Sequence, residues 1–292
     1  MTAGLTPARL AALIGVGQPG VASATEWRSE ASPDPGLGLW SAVLVTPGSA
    51  IPFLLYRPLS PGPWPAAVAI HQHNDEYHLG KSEPAGLHGD SHAAYGLALA
   101  RRGFIVAMPD LDGFEDRQPP TDAGLRYELF QAMNALVEGG TLHGRHVRDV
   151  LSVVDYLEKF EDVTGPVAVA GHSLGGQIAL LSLAVDERLK HAVISCGVTT
   201  YGAAREAGIL HNPGWYIPGL EDAGGYAAVA ASLRGKRLLV LAAEGDEHFP
   251  AAGAAKVIAS FPDGVATVRW RPGAHAPDSF MPEAVAQWLA GE

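Results

Sequence analysis

Short, unbroken apolar runs alternate along this chain with longer stretches of helical periodicity. Ala66–Ile70, Phe104–Met108, Val167–Ala170, Ala192–Ser195, Arg237–Leu241 and Ala266–Trp270 read as strands. Most of these runs lack polar alternation, the mark of strands covered on both faces. Arg148–Lys159 is the clearest helix, with Val150, Leu151, Val154 and Leu157 at i, i+1, i+4 and i+7. Helices are also predicted over Ala93–Arg102, Gln177–Leu183, Ala251–Ser260 and Pro282–Ala290, and over Thr6–Ile14, where Pro7 marks a helix start. Leu39–Thr46 and Ile51–Tyr56 flank the turn Pro47–Gly48 and predict an antiparallel beginning. Strands alternating with helices predict an α/β fold: a mostly parallel central sheet, helices on both faces and right-handed crossovers.

Residues 1–38 are expected to form an N-terminal helical and extended segment, and residues 39–292 the main domain. No internal repeat or linker-like stretch divides the latter. About forty residues between Ser195 and Arg237 are richer in Gly, Tyr and Trp than a crossover helix needs. A small cap within 197–235 is therefore expected, with Tyr201, His211, Trp215, Tyr216 and Ile217 as candidate pocket residues. The plainer alternative is a crossover whose aromatics only pack.

Composition narrows the class. Charged residues make up 17% and hydrophobic ones 47% of 292 residues, a balance suited to a large buried core. A formal net charge of −11, with no basic run to offset it, argues against nucleic acid or an anionic membrane as partner. The one cysteine, Cys196, rules out an internal disulfide and reads as a buried structural thiol; a cytoplasmic location is expected. Ala22–Ser23–Ala24 resembles a small-residue cleavage site. However, the preceding stretch carries only Arg9, and its apolar part Leu10–Gly17 is short and broken by glycine, so no signal peptide is expected. No run approaches the ~18 apolar residues of a membrane span. A homo-oligomer is left open, with no feature in its favour.

Chemistry enters at Val167–Gly176. An apolar strand runs into Gly171–His172–Ser173–Leu174–Gly175, and helical spacing resumes at Gln177. Strand, sharp turn and helix around G-x-S-x-G predict a nucleophile elbow presenting the Ser173 hydroxyl at a helix N-terminus. The plain alternative is an N-capping serine on a glycine-rich turn. A serine hydroxyl becomes nucleophilic when a histidine takes its proton and a carboxylate orients that histidine. The loop after Arg237–Leu241 supplies Asp246, flanked by Glu244 and Glu247. The loop after Ala266–Trp270 supplies His275, while His248 lies beside the acid. Asp246 and His275 are the expected partners: Glu244 is too near the strand end, Glu247 is expected to point outward, and His248 could cap the next helix. The order Ser, Asp, His is that of an α/β-hydrolase. One oxyanion donor follows from the elbow, the Leu174 amide; a second is expected from the loop after Ala66–Ile70, which reads His71–Gln72–His73–Asn74.

On these residues, together with Gly80–Lys81–Ser82–Glu83–Pro84–Ala85–Gly86, Arg102–Gly103–Phe104, Pro109–Asp110, Gly113–Phe114, Gly245–Asp246, Phe249–Pro250 and Gly273–Ala274–His275, the chain resembles the dienelactone hydrolase-like branch of the α/β-hydrolase superfamily. That branch includes acetyl xylan esterase-like serine esterases, and the resemblance spans about residues 50 to 290. It implies the α/β-hydrolase fold, Ser173, Asp246 and His275 as triad, and the backbone amides of Leu174 and His73 as oxyanion hole, with Gln72 as the other candidate for the second donor. Gln72, Trp215 and Tyr216 are expected in the substrate pocket. Two departures stand out. Dienelactone hydrolases proper use cysteine where this chain has Ser173, and the loop reads His-Gln-His where many relatives have His-Gly-x.

The expected activity is hydrolysis of a small-molecule carboxylic ester through an acyl-enzyme, with no cofactor. Thioester, lactone or amide hydrolysis, a non-hydrolytic tailoring step, or an idle binding protein are the alternatives. His71, His73 and His78 with Asp75 and Glu76 could in principle hold a metal, but no H-E-x-x-H pattern occurs and the cluster occupies the oxyanion loop, so no metal is expected.

Overall fold

Val68 and Ile70 point to one side of their strand, Ala67 and Ala69 to the other, and all four are buried. The same division repeats along the central strands, so one sheet separates two apolar cores. The computed structural model describes residues 4–17, 22–121, 123–278 and 281–291. Its strands are β1 (Ser23–Glu30), β2 (Leu37–Thr46), β3 (Ser49–Pro58), β4 (Ala66–Ile70), β5 (Ile105–Pro109), β6 (Ala168–His172), β7 (His191–Ser195), β8 (Arg237–Ala243) and β9 (Ala266–Arg271). They lie in the order β1-β2-β3-β5-β4-β6-β7-β8-β9. Every neighbouring pair from β5 through β9 is parallel, and β1, β2 and β3 add an antiparallel edge.

The helices are α1 (Pro7–Ile14), α2 (Tyr95–Arg101), α3 (Leu125–Val137), α4 (Leu142–Leu157), α5 (Leu174–Val185), α6 (Tyr201–Glu206), α7 (Gly225–Ser232), α8 (Ala251–Ile258) and α9 (Met281–Ala290). Apolar residues of α1, α4, α5, α7 and α8 fill one core, and those of α2 and α9 the other. Every residue of α5 from Leu174 to Ala184 is buried, as expected of a helix apolar on all sides. The predicted α/β architecture with helices on both faces is borne out. No helix among the described residues is long and apolar enough to cross a membrane.

Three differences from the sequence reading have physical causes. β1 carries no apolar alternation, since nearly all of Ser23–Glu30 is exposed; only its pairing with β2 makes it a strand. α4 begins at Leu142, ahead of the predicted Arg148. Thr141 caps it by accepting the Gly144 N–H, and Gly144 lets α1 approach closely: a Cβ there would sit 1.8 Å from the Ile14 carbonyl oxygen. The third is α3, whose large apolar side chains face outward and which the periodicity gave no reason to expect.

Candidate active site

β6, β8 and β9 end at the same edge of the sheet, and their following loops carry the chemistry, as strand carboxyl ends do in open α/β sheets. The β6–α5 turn is so tight that only glycine fits around Ser173. A Cβ on Gly171 would lie 2.2 Å from the Gly175 carbonyl carbon, and one on Gly175 would lie 2.0 Å from the Ile70 oxygen. Ser173 itself takes φ 54°, ψ −118°, a backbone strain of ~1–3 kcal/mol that the surrounding packing must hold. Its N–H is fixed on the Ser195 carbonyl at 2.8 Å. Although Ser173 is the N-cap residue of α5, its side chain makes no capping bond. The hydroxyl lies 2.8 Å from His275 Nε2 instead.

On the other side of the imidazole, Nδ1 is 3.1 Å from both Asp246 carboxylate oxygens. Asp246 Oδ1 also accepts the His248 and Phe249 N–H groups at 2.9 and 2.7 Å. Burial works to raise the Asp246 carboxyl, yet the His275 hydrogen bond and charge, with those two amides, hold it below its ordinary value. The three predicted residues are therefore in contact in the expected order.

The neighbouring acids divide differently from the sequence reading. Glu244 is exposed. Glu247, expected to point outward, accepts the His275 backbone N–H at 2.9 Å and anchors the histidine loop. Arg271 grips the same loop, donating to the Ala274 and Ala276 carbonyls at 2.9 and 2.6 Å. Sequence reasoning missed both, because a support that acts on backbone atoms leaves no side-chain pattern. His248 and Phe249 flank the His275 ring, and His172 stacks beneath it with Nδ1 2.9 Å from Ser195 Oγ. Burial and the nearby His275 charge keep His172 neutral, its pKa well below the usual histidine range. Cys196 is buried beside Asp246. Burial first, then the Asp246 charge, push its thiol up to about 12, so it stays protonated.

The oxyanion loop is held from beneath. His71 is buried, and its Nδ1–H donates to the Gln72 carbonyl at 2.7 Å while Nε2 accepts the Leu111 N–H. Burial pushes its pKa down to about 4. Lys81 binds Asp110 and Glu115 at 2.8 and 2.7 Å, tying the Gly80–Gly86 stretch to the loop after β5. These carboxylates, against the pull of burial, hold its ammonium above the ordinary lysine range. His73 Nδ1 accepts the Asp75 N–H and Nε2 meets Glu128 Oε2 at 2.9 Å. The ring nitrogens of His71 and His73 are thus committed to protein partners, which leaves the imagined histidine cluster few free ligand atoms. Among the described residues, one group of three potential metal ligands comes together, Cys196, Asp246 and His275, and it is the triad's own neighbourhood.

Above Ser173 and His275 lies a cavity of about 570 Å³, within the range of small-molecule sites. Leu210, His211 and Tyr216 from the 197–235 region line it, as do His73, His248 and Phe249. His211 and Tyr216 stand where expected; Gln72, Trp215, Tyr201 and Ile217 do not line it. Gln72 is buried with its amide donating to Glu83 at 2.9 Å. Trp215 is buried one layer back, its ring tilted against that of His211. Gln72 turns away because adjacent loop residues face opposite sides, and Trp215 because a large apolar ring gains more by joining the core. The opposite wall is α3, whose Leu125, Leu129, Met133 and Leu136 face the cavity.

Comparison with known proteins speaks to the fold and the family. YtaP of Bacillus subtilis (strain 168) is 28% identical over 202 residues, which is 67% of this chain; the match spans only 65% of YtaP. In three dimensions the chain is similar to an acetyl xylan esterase from Paenibacillus sp. R4, at 16% identity and TM-score 0.72 over 98% of this chain and 92% of that one. It is also similar to a cold-adapted esterase from an Arctic intertidal metagenomic library, at 16% identity and TM-score 0.64 over 91% and 99%. Identities this low speak for the shared fold. The sequence profile of one family, however, matches residues 53–269, from β3 into β9. The resemblance carried by the motifs is thus borne out: this chain belongs to the dienelactone hydrolase family.

Proposed function

We propose that this protein hydrolyses carboxylic esters through an acyl-enzyme on Ser173. The observation that carries the reading is the unbroken relay from Ser173 Oγ through His275 to Asp246, at 2.8 and 3.1 Å, beneath a cavity open to a small molecule. His275 Nε2 takes the hydroxyl proton as Oγ attacks the ester carbonyl. Asp246 holds Nδ1–H and stabilises the imidazolium that forms. The carbonyl oxygen becomes an oxyanion facing the amide of Leu174, in the unpaired first turn of α5, and the amide of His73. His275 then protonates the departing alkoxide. Water, activated by the same histidine, attacks the acyl-Ser173 carbonyl and releases the acid.

The test is labelling by a fluorophosphonate probe together with pre-steady-state kinetics on p-nitrophenyl esters. One serine should be labelled, and Ser173→Ala should abolish labelling and lower kcat by about 10⁴–10⁶ with little change in unfolding midpoint. Near-full turnover by Ser173→Ala overturns the acyl-enzyme.

A further inference from the structure

α3 is built inside out. Its buried residues are Glu128, Ala132 and Ala135, while Leu125, Leu129, Phe130, Met133, Leu136 and Val137 are all exposed. A helix that covers a core does the reverse. The rotation is fixed by Glu128, whose Oε2 meets His73 Nε2 at 2.9 Å and accepts the Tyr77 hydroxyl at 2.8 Å. At 100° per residue measured from Glu128, Leu125, Leu136 and Leu129 fall at ~60–100° and Met133 at ~140°. All four line the cavity above Ser173. Phe130 and Val137 fall at ~180–200°, on the outer side. The exposed leucines thus form a continuous apolar stripe ~16 Å long from Leu125 to Leu136. It is exposed only because it faces the cavity. Leu210, 86% exposed, lines the same cavity. Polar lining comes from the loop that carries His73, Asn74 and Asp75 and from His211, Asn212, Tyr216 and His248, whereas none of the stripe's own side chains can pair with a hydroxyl.

We infer that the substrate's ester carries an extended apolar limb that lies along this stripe, so that α3 sets specificity for chain length. The inference rests on the proposed ester hydrolysis. Its occupant is the substrate itself, because the stripe and the Ser173 hydroxyl share one cavity. An apolar limb removes exposed leucine surface from water, whereas hydroxyls laid against the stripe would find no partner on α3's leucines and methionine. Lengthening the limb by one methylene should raise kcat/KM about two- to fourfold while stripe remains to be covered.

The experiment measures kcat/KM for two series: p-nitrophenyl esters from acetate to octanoate, and acetates of alcohols from ethanol to octanol. The expected result is a steep rise with length in one series, and a long-to-short ratio that falls at least about tenfold in Leu129→Asp and in Met133→Asp. Phe130→Asp, on the outer side of the same helix, should leave the ratio as it is. Fluorophosphonate labelling of each variant reports that the reacting serine is intact. Flat or falling activity in both series with Ser173 labelled overturns the inference and spares ester hydrolysis. A rise that survives both stripe variants, or falls equally in Phe130→Asp, overturns it as well. Neither labelling nor turnover of any ester overturns the ester reading beneath it.

Discussion

The floor and the wall of the cavity obey opposite rules. On the floor, the β6–α5 turn and the loops after β8 and β9 admit almost no freedom: glycines stand where a methyl would strike backbone, and each triad atom has a hydrogen-bonded partner. On the wall, α3 presents leucine and methionine to open space and buries a glutamate. Proton transfer needs heavy atoms within about 2.6–3.2 Å, so the floor must be over-determined. An apolar limb needs only surface, so the wall can stay smooth and non-directional. Glu128 joins the two, because its carboxylate holds the side chain of His73, the residue proposed to supply the second oxyanion amide.

The hardest way to break this contrast is to disturb the floor without removing an atom's bulk. Asp246→Asn keeps the shape but offers an N–H where His275 Nδ1–H needs an acceptor, which favours the wrong tautomer. A loss of about 10⁴ in kcat is expected, with KM little changed. Glu247→Gln retains an oxygen for the His275 amide and should cost no more than about tenfold, while exposed Glu244→Gln should stay within about twofold. Steady-state kinetics on one p-nitrophenyl ester decides. A severe Glu244→Gln beside an active Asp246→Asn would reassign the acid.

That same division governs what could be read from the chain. The floor was legible because its constraints fall on residue type and on position relative to strand ends. Gly171 and Gly175 must flank the serine, and Asp246 and His275 must follow strand ends, so residue type and order betray the geometry. The wall was not. Leu125–Val137 has apolar residues in plenty, but their periodicity predicts no helix with a core-facing stripe, and here several turn towards a cavity that only the folded chain encloses. Gln72 and Trp215 were misplaced for a related reason: whether a side chain next to a site turns in or out is settled by its packing partners in the folded chain, such as Glu83 or His211, and residue type alone does not announce them. Glu247 and Arg271 act on backbone atoms, and nothing in a side-chain pattern announces that.

Stability measurements sharpen the comparison with a smaller effect. Gly175→Ala adds one methyl on the floor, 2.0 Å from the Ile70 oxygen and 2.8 Å from the His71 oxygen. Neither backbone atom can yield without moving β4 from β6. Destabilisation of about 3 kcal/mol or more is expected in urea titrations, at the upper end for overpacking. Phe130→Ser on the wall's outer side removes a whole ring that is 61% exposed, and should change stability by no more than about 0.5 kcal/mol. A Gly175→Ala protein as stable as its parent would mean that the elbow relaxes freely, and the rigidity argued for the floor would be wrong.

The last expected effect is a gradual one, spread over pH. His71, beneath the oxyanion loop, and His143, whose Nε2 is 2.8 Å from Gln177 Oε1, are buried, and burial lowers both to about 4. The stripe of α3 carries no titratable group, so acid should act on the floor and spare the wall. The sign follows from proton counting. Between about 6.5 and 4 the unfolded chain binds protons at these histidines that the folded chain does not, so unfolding takes up protons and stability falls as pH falls. The contribution is whole above about 6.5 and is lost progressively towards 4, by up to ~1.4 kcal/mol per pH unit for each histidine. Unfolding free energies from urea titrations at pH 7.5, 6.0 and 5.0 measure that slope. His143→Gln should reduce it by about one histidine's share, whatever the variant does to stability at pH 7.5. A slope unchanged in His143→Gln would show that this ring protonates in the folded protein and that the floor is looser than its hydrogen bonds imply.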